Sequence, residues 1–366
     1  YLSDKMIIDA KMIDGTWRTI SKNRYLRDSQ LFPLAIGKTG TTYVLSYHEG
    51  DKAALYEYNI NTGTFGRQLF KHELVDVDDI YFSRFKDALE YASFTLDKTE
   101  LHFFDDRLAE DYQLLSRVLP DTTNLIVSQS ADEKRLIISA GSSSNPGSYY
   151  LFDRDDKILK YLGSRYPSLE KAVLSKTTAT KYKARDGMTI YGYISYPVTF
   201  KGTPTPMVVL VHGGPYARDI NKFDPWVQFL TNRGYVVFQP NFRGSIGYGD
   251  AYWRAGYRQW GLAMEDDIVD GIKILIDLNL ADKNRVCIMG ASYGGYAALM
   301  GAAKYPGLFR CVISIAGISD LNKLMIEKGN YLNRLLIGDD VSERKANSPI
   351  NYVKDINCPV LLAHGT

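Results

Sequence analysis

An apolar run at 285–289 (RVCIM), the turn Gly290-Ala291-Ser292-Tyr293-Gly294-Gly295-Tyr296 and a small-residue stretch at 297–303 (AALMGAA) constrain this chain most. Strand, glycine-flanked serine and helix in that order describe a nucleophile elbow. The serine must sit on a strained turn so that its hydroxyl stands clear of the sheet. The glycines remove Cβ atoms that would collide there. The helix N-terminus then aims free N–H groups at developing negative charge. Ser292 is the candidate nucleophile, and the Tyr293 N–H a candidate oxyanion donor.

Two more apolar runs end in loops of the same kind. Residues 206–211 (PMVVLV) lead into His212-Gly213-Gly214-Pro215, a turn suited to a second oxyanion N–H, with Gly214 the preferred donor. Residues 235–239 (YVVFQ) lead into 240–245 (PNFRGS) and Gly247-Tyr248-Gly249. Three such loops at the carboxyl ends of parallel strands make an active-site rim. Arg243 in the second loop either binds a substrate carboxylate or carbonyl, or braces the loops.

HGGPYARD (212–219), NFRGSIGYG (241–249), GASYGGYAAL (290–299) and SPINYV (348–353) occur in that order. Together they resemble the prolyl oligopeptidase family of serine peptidases, in its acylaminoacyl-peptidase and dipeptidyl-peptidase branches, over roughly residues 180–366. The resemblance implies an α/β-hydrolase domain, a doubly wound parallel sheet, preceded by an all-β propeller that restricts entry to short peptides. It implies neither cofactor nor metal. It also implies that the segment 317–324 walls the pocket for the side chain before the scissile bond. Ile318, Leu321 and Leu324 match the wall positions, and Tyr293 and Tyr296 could add aromatic surface. The alternative is that the three aliphatics are helix core.

The first half of the chain has its own all-β pattern. Short aromatic-rich runs at 43–47, 55–58, 89–94, 101–104, 125–127, 136–138 and 149–152 are separated by turn residues. An apolar residue followed by Asp or Asn recurs at Ile8-Asp9, Tyr58-Asn59, Phe104-Asp105 and Phe152-Asp153. A period in the forties with several strands per repeat marks propeller blades. We expect a partial propeller of about three and a half blades over 1–170 and a hydrolase domain over 171–366. A hairpin at 181–184 and 189–196 would begin the second sheet. After it, strands at 206–211, 235–239, 285–289, 310–316 and 359–363 alternate with helices at 222–233, 263–278, 294–304 and 320–336.

A triad of this class runs Ser, then acid, then His. After Ser292 the only histidine in the sequence is His364, read as a strand-end residue. Asp320 reads as a helix N-cap, and Asp266 and Asp267 as first-turn acids that suit the helix dipole. The acid and base are therefore expected beyond Thr366, in a protein longer at both ends. The preferred reading is a peptidase acting through an acyl-enzyme on Ser292. A carboxylesterase on the same fold is one alternative, and a propeller-based binding protein with an inactive hydrolase domain another.

A net charge of +2 with no basic cluster argues against nucleic acid, and no apolar run is long enough for a membrane span. The chain begins with Tyr1 and shows no signal peptide pattern. Cys287, Cys311 and Cys358 lack paired spacing and read as reduced, buried thiols, which points to the cytoplasm. Homo-oligomerisation stays open.

Overall fold

Alternation of core-facing and solvent-facing residues builds the first half strand by strand. The computed structural model describes residues 5–12, 14–24, 31–328 and 331–365. Strands β1 (Lys5–Lys11) and β2 (Trp17–Arg24) pair antiparallel. A four-stranded sheet follows: β3 (Leu31–Ile36), β4 (Thr41–Ser46), β5 (Ala54–Asn59) and β6 (Thr64–Phe70). Next come β7 (Val77–Ser83), β8 (Ala88–Thr95) and β9 (Thr99–Phe103), then helix α1 (Asp106–Val118). The last sheet holds β10 (Thr123–Gln129), β11 (Arg135–Ser142), β12 (Asn145–Asp153) and β13 (Ile158–Ser164). In each of these sheets neighbours in space are neighbours in sequence, as in up-and-down propeller blades.

The repeat of an apolar residue and Asp or Asn has a local cause. Asn59 Oδ1 accepts from the N–H of Asn61 and Thr62, and Asp153 Oδ1 from those of Asp155 and Asp156. Both side chains close the turn that leaves an inner strand. Asp105 does the same for a helix, accepting from the Leu108 N–H as N-cap of α1. Asp9 differs: it lies within β1 and accepts from the Thr19 hydroxyl. Helix α1 was not among the expected elements. It buries Leu108 and Leu115 against Leu136, Ile138 and Phe152 of the last sheet.

By its contacts the chain forms two units. One comprises residues 1–142, 146–170 and 247–251, the other 143–145, 171–246 and 252–366. Within the first, the Asp76 carboxylate accepts from the N–H groups of Ala53 and Gly249, and Asp51 Oδ1 from that of Ala251.

The second unit is a seven-stranded sheet. Its strands are β14 (Thr177–Lys183), β15 (Thr189–Ser195), β16 (Thr205–Val211), β17 (Val236–Asn241), β18 (Ala281–Ala291), β19 (Cys311–Ile315) and β20 (Val360–Ala363). The order is β14-β15-β17-β16-β18-β19-β20, parallel from β17 onward, with β14 and β15 antiparallel at one edge. All six residues of β17 are buried, as a central strand covered on both faces requires. The helices are α2 (Pro225–Thr231), α3 (Asp250–Arg254), α4 (Ala263–Asp277), α5 (Tyr293–Lys304), α6 (Leu321–Lys328), α7 (Tyr331–Ile337) and α8 (Val341–Ala346). The single helix expected over 320–336 is thus two, α6 and α7. Among the described residues no helix is long and apolar enough to cross a membrane.

The cysteine expectation is overturned. Cys287 and Cys311 stand directly opposite each other on β18 and β19, and they form a disulfide. Their Cα atoms are 4.7 Å apart, within bridging range. Strand pairing, not sequence spacing, brings them together. Only Cys358 remains a thiol, so the cysteine argument for the cytoplasm falls.

Candidate active site

The elbow forms where β18 runs into α5. Ser292 is the residue between them, with φ 55° and ψ −117°, a left-handed conformation that an L-residue adopts only under strain. It is exposed, whereas Tyr293 through Ala303 are all buried. Its N–H donates to Ile315 O at the end of β19 (2.9 Å), and its carbonyl accepts from the Tyr296 N–H (3.0 Å). A Cβ on Gly294 would drive into the Val211 carbonyl, so the helix can approach β16 this closely only with glycine there. As the first residue of α5, Tyr293 presents a backbone N–H that has no place in the helical ladder.

The turn after β16 lies alongside. A Cβ on Gly213 would stand 3.6 Å from the Ser292 Cβ. Gly214 has φ +117° and is exposed. His212 holds this turn from below. Its ring stacks on Phe242 with centroids 4.4 Å apart, Nδ1 lies 2.9 Å from Gly213 O, and Nε2 lies 3.0 Å from Ser245 Oγ. The Ser245 hydroxyl in turn donates to Phe242 O (2.7 Å), which ties the ring to the loop after β17. Burial pushes the His212 pKa down to about 4. The folded value lies below the unfolded one, so this group's contribution to stability is present above about pH 6.5 and is lost as pH falls toward 4. In an imidazole NMR titration of the full-length protein, His212 should not titrate between pH 8 and about pH 5.5. A midpoint near the ordinary histidine value would show a solvated ring and a different turn.

Arg243 takes the second of its two readings. Its Nε and Nη2 bond to the Asp267 carboxylate (2.8 and 2.7 Å), and Nη1 pairs with Asp186 (2.7 Å). Every guanidinium edge is engaged in bracing, and the residue is buried. Asp267 is correspondingly no surface acid for the helix dipole. It is wholly buried, and burial lifts its pKa to about 6 despite the guanidinium. Asp266 accepts from the Tyr305 hydroxyl and pairs with Arg185. Asp320 does cap α6, accepting from the N–H groups of Asn322 and Lys323.

The pocket-wall reading fails at three residues. Leu321 is core, at 1% exposure. Tyr293 and Tyr296 are also wholly buried; they pack on the Trp260 ring at 4.6 and 5.2 Å, and Tyr296 Oη donates to Asn347 O. Both rings are closed off from solvent by this packing and offer no pocket surface. Ile318 and Leu324 are half-buried. An apolar cavity of about 420 Å³ is lined by Gly317 and Ser319 of the segment 317–324, together with residues that include Leu299, Ser314, Pro349 and Leu362.

The Asp267 partnership was missed in the sequence, although a signal existed. Met264, Ile268, Ile272 and Leu275 form the buried stripe of α4, and Asp267 falls on it. An acid on an apolar stripe needs a cation. His364, the one histidine after Ser292, is exposed, and its Nδ1 lies 3.0 Å from Gly365 O.

A sequence model of the prolyl oligopeptidase family matches residues 221–366. Dipeptidyl peptidase family member 6 of Caenorhabditis elegans is 33% identical over 301 residues, covering 73% of this chain and 41% of that protein. Dipeptidyl aminopeptidase BIII of Pseudoxanthomonas mexicana is 34% identical over 286 residues, with the same two coverages of 73% and 41%. The chain therefore spans about two fifths of the length of these curated relatives. In fold it is similar to a puromycin-hydrolysing peptidase of Mycobacterium tuberculosis, with TM-score 0.76 and 23% identity over 96% of this chain and 55% of that one. The acylaminoacyl peptidase of Pyrococcus horikoshii superposes with TM-score 0.71 and 21% identity, over 100% of this chain and 60% of that one.

Proposed function

The chain belongs to the prolyl oligopeptidase family, and on that premise we propose that the protein is a serine peptidase acting on short peptides or on acylated or dipeptidyl N-termini. The observation that carries this reading is Ser292 itself: strained, exposed, and seated at the head of a buried helix. Its Oγ attacks the carbonyl carbon of the scissile bond. The oxyanion that forms is held by the N–H of Tyr293 and by that of Gly214 in the adjoining turn, which is supported by the closeness of Gly213 to Ser292. Collapse of the adduct expels the amine and leaves an acyl-enzyme, which water then hydrolyses.

The general base and its acid belong, on this reading, to sequence outside these 366 residues. The relatives are far longer than the chain, and His364 turns toward its own neighbour. The three acids weighed in the sequence are already committed: Asp267 to Arg243, Asp266 to Tyr305 and Arg185, and Asp320 to its helix cap.

The test compares aminoacyl p-nitroanilides with p-nitrophenyl esters on the full-length protein. The peptidase reading expects turnover of the anilides as well as of the intrinsically more reactive esters, because acylation by an amide needs the full oxyanion site and a proton for the leaving amine. Turnover of esters alone would make the protein an esterase. Turnover of neither, with no fluorophosphonate adduct on Ser292, would leave a binding protein.

A further inference from the structure

Glu265 lies in the first turn of α4 and is wholly buried. Neither carboxyl oxygen has a hydrogen-bond partner among the described residues. An ionised carboxylate cannot persist in such a place: it must gain a cation or lose its charge. Lys304 of α5 exerts an attraction on it, but the Lys304 ammonium donates to the Gly261 carbonyl instead. Asp266 adds a like charge from the same helix and is itself engaged with Tyr305 and Arg185. Asp267 is matched by Arg243, and Tyr182 of β14 donates to the Asp267 backbone carbonyl. The remaining facing groups are two buried phenols of α5. Tyr296 Oη is bonded to Asn347 O, and Tyr293 Oη has no partner among the described residues. Gly301 makes room for the acid, since a Cβ there would stand 2.5 Å from Glu265 Oε1. The carboxyl is thus packed against the backbone of the nucleophile's own helix.

We propose that Glu265 is a positioning residue for Ser292, held in the fold as an uncharged carboxylic acid beneath α5. Its catalytic consequence rests on the peptidase reading above. Helix α5 begins at the N–H groups where the reaction develops negative charge. The carboxyl meets α5 at Gly301, about two turns beyond that head, so its charge state acts through the packing of the helix rather than on its dipole. A carboxylate there would draw water between α4 and α5 and loosen the seat of the helix that carries Ser292.

Burial pushes this carboxyl well above its ordinary range; Lys304 opposes the shift and Asp266 adds to it. With the folded value above the unfolded one, the contribution to stability is full below about pH 4.5 and is lost as pH rises toward the folded value.

Glu265→Gln keeps the shape and removes the charge. In thermal melts of the full-length protein from pH 4 to 9, wild type should weaken relative to Glu265→Gln as pH rises above about 4.5. The ratio of their unfolding constants should change by up to about tenfold per pH unit in that window and stay flat below it. In the same variants, the alkaline limb of kcat, or of the rate of fluorophosphonate labelling at Ser292, should move to higher pH with KM unchanged. Glu265→Ala should lower kcat, and Glu265→Gln should not share that loss. A melting difference independent of pH would overturn the uncharged state. A pH-dependent melting difference with an unmoved alkaline limb would overturn the positioning role. Absence of labelling in wild type would instead mark failure of the peptidase reading, and the melts still report the charge state.

Discussion

Ser292→Ala in the full-length protein should lower kcat on short peptides by on the order of 10⁶, with KM changed little. The alanine variant keeps the oxyanion donors of Tyr293 and the 212–214 turn, so some acceleration over water should survive, about 10³–10⁴. The hydroxyl takes no part in holding the elbow. Ser292 caps α5 without a side-chain hydrogen bond, and its backbone bonds to Ile315 and Tyr296 do not involve Oγ. Melting of the variant should therefore stay within about 2 °C of wild type, as expected for a surface substitution. Activity lost together with folding would leave the nucleophile unassigned. Persistent stoichiometric labelling of the variant by a fluorophosphonate probe would remove Ser292 from the mechanism.

Asp267→Ala should be the most damaging single change to the second unit, at about 3–5 kcal/mol. Arg243 and Asp267 are both buried and joined by two short bonds. The pair contributes little net stability, because burial opposes the Asp267 charge even beside the guanidinium. Removing one partner is different, since it leaves a guanidinium desolvated with only the half-exposed Asp186 to meet it. For a unit of this size the melting temperature should fall by about 10 °C or more. Replacing both partners, as in Arg243→Met with Asp267→Leu, should recover most of that loss. A single variant that melts within about 2 °C of wild type would show that water reaches Arg243 and that the brace is not buried in solution.

The sheet of the second unit was legible because its strands are continuous apolar runs ended by glycine-rich loops. The blade strands were legible because aromatic and polar residues alternate. Asp105 shows where pattern and meaning part: the same apolar-Asx pair that closes a strand turn at Asn59 and Asp153 starts a helix at 105. In the sequence the two uses look alike, because one Asx side-chain oxygen accepting an N–H two or three residues on serves both. The nucleophile and its turn were readable locally, since a strained elbow demands particular residues in sequence. Partnerships across the fold were not. Cys287 finds Cys311 by strand register, and Arg243 finds Asp267 by the packing of α4 under a loop. Tyr293 and Tyr296 misled because aromatic residues beside a nucleophile invite a pocket, whereas both rings are closed off from solvent by packing.

The tightness of the backbone around Ser292 also limits how this chain can diverge. A Cβ on Gly295 would stand 2.8 Å from the Gly317 Cα, and a Cβ on Gly317 would stand 2.8 Å from the Gly295 carbonyl carbon. A Cβ on Gly290 would meet the Gly294 backbone, and one on Gly294 the Val211 carbonyl. In an ordinary core, a residue that grows can be matched by a neighbour that shrinks. Here the atoms met are largely backbone, which no second-site change of side chain can shrink, so the space cannot be restored. Mutational paths through the elbow are closed at these glycines, and sequence drift in this region has to pass through Ala291, through the helix beyond Tyr296, or through loss of the turn altogether.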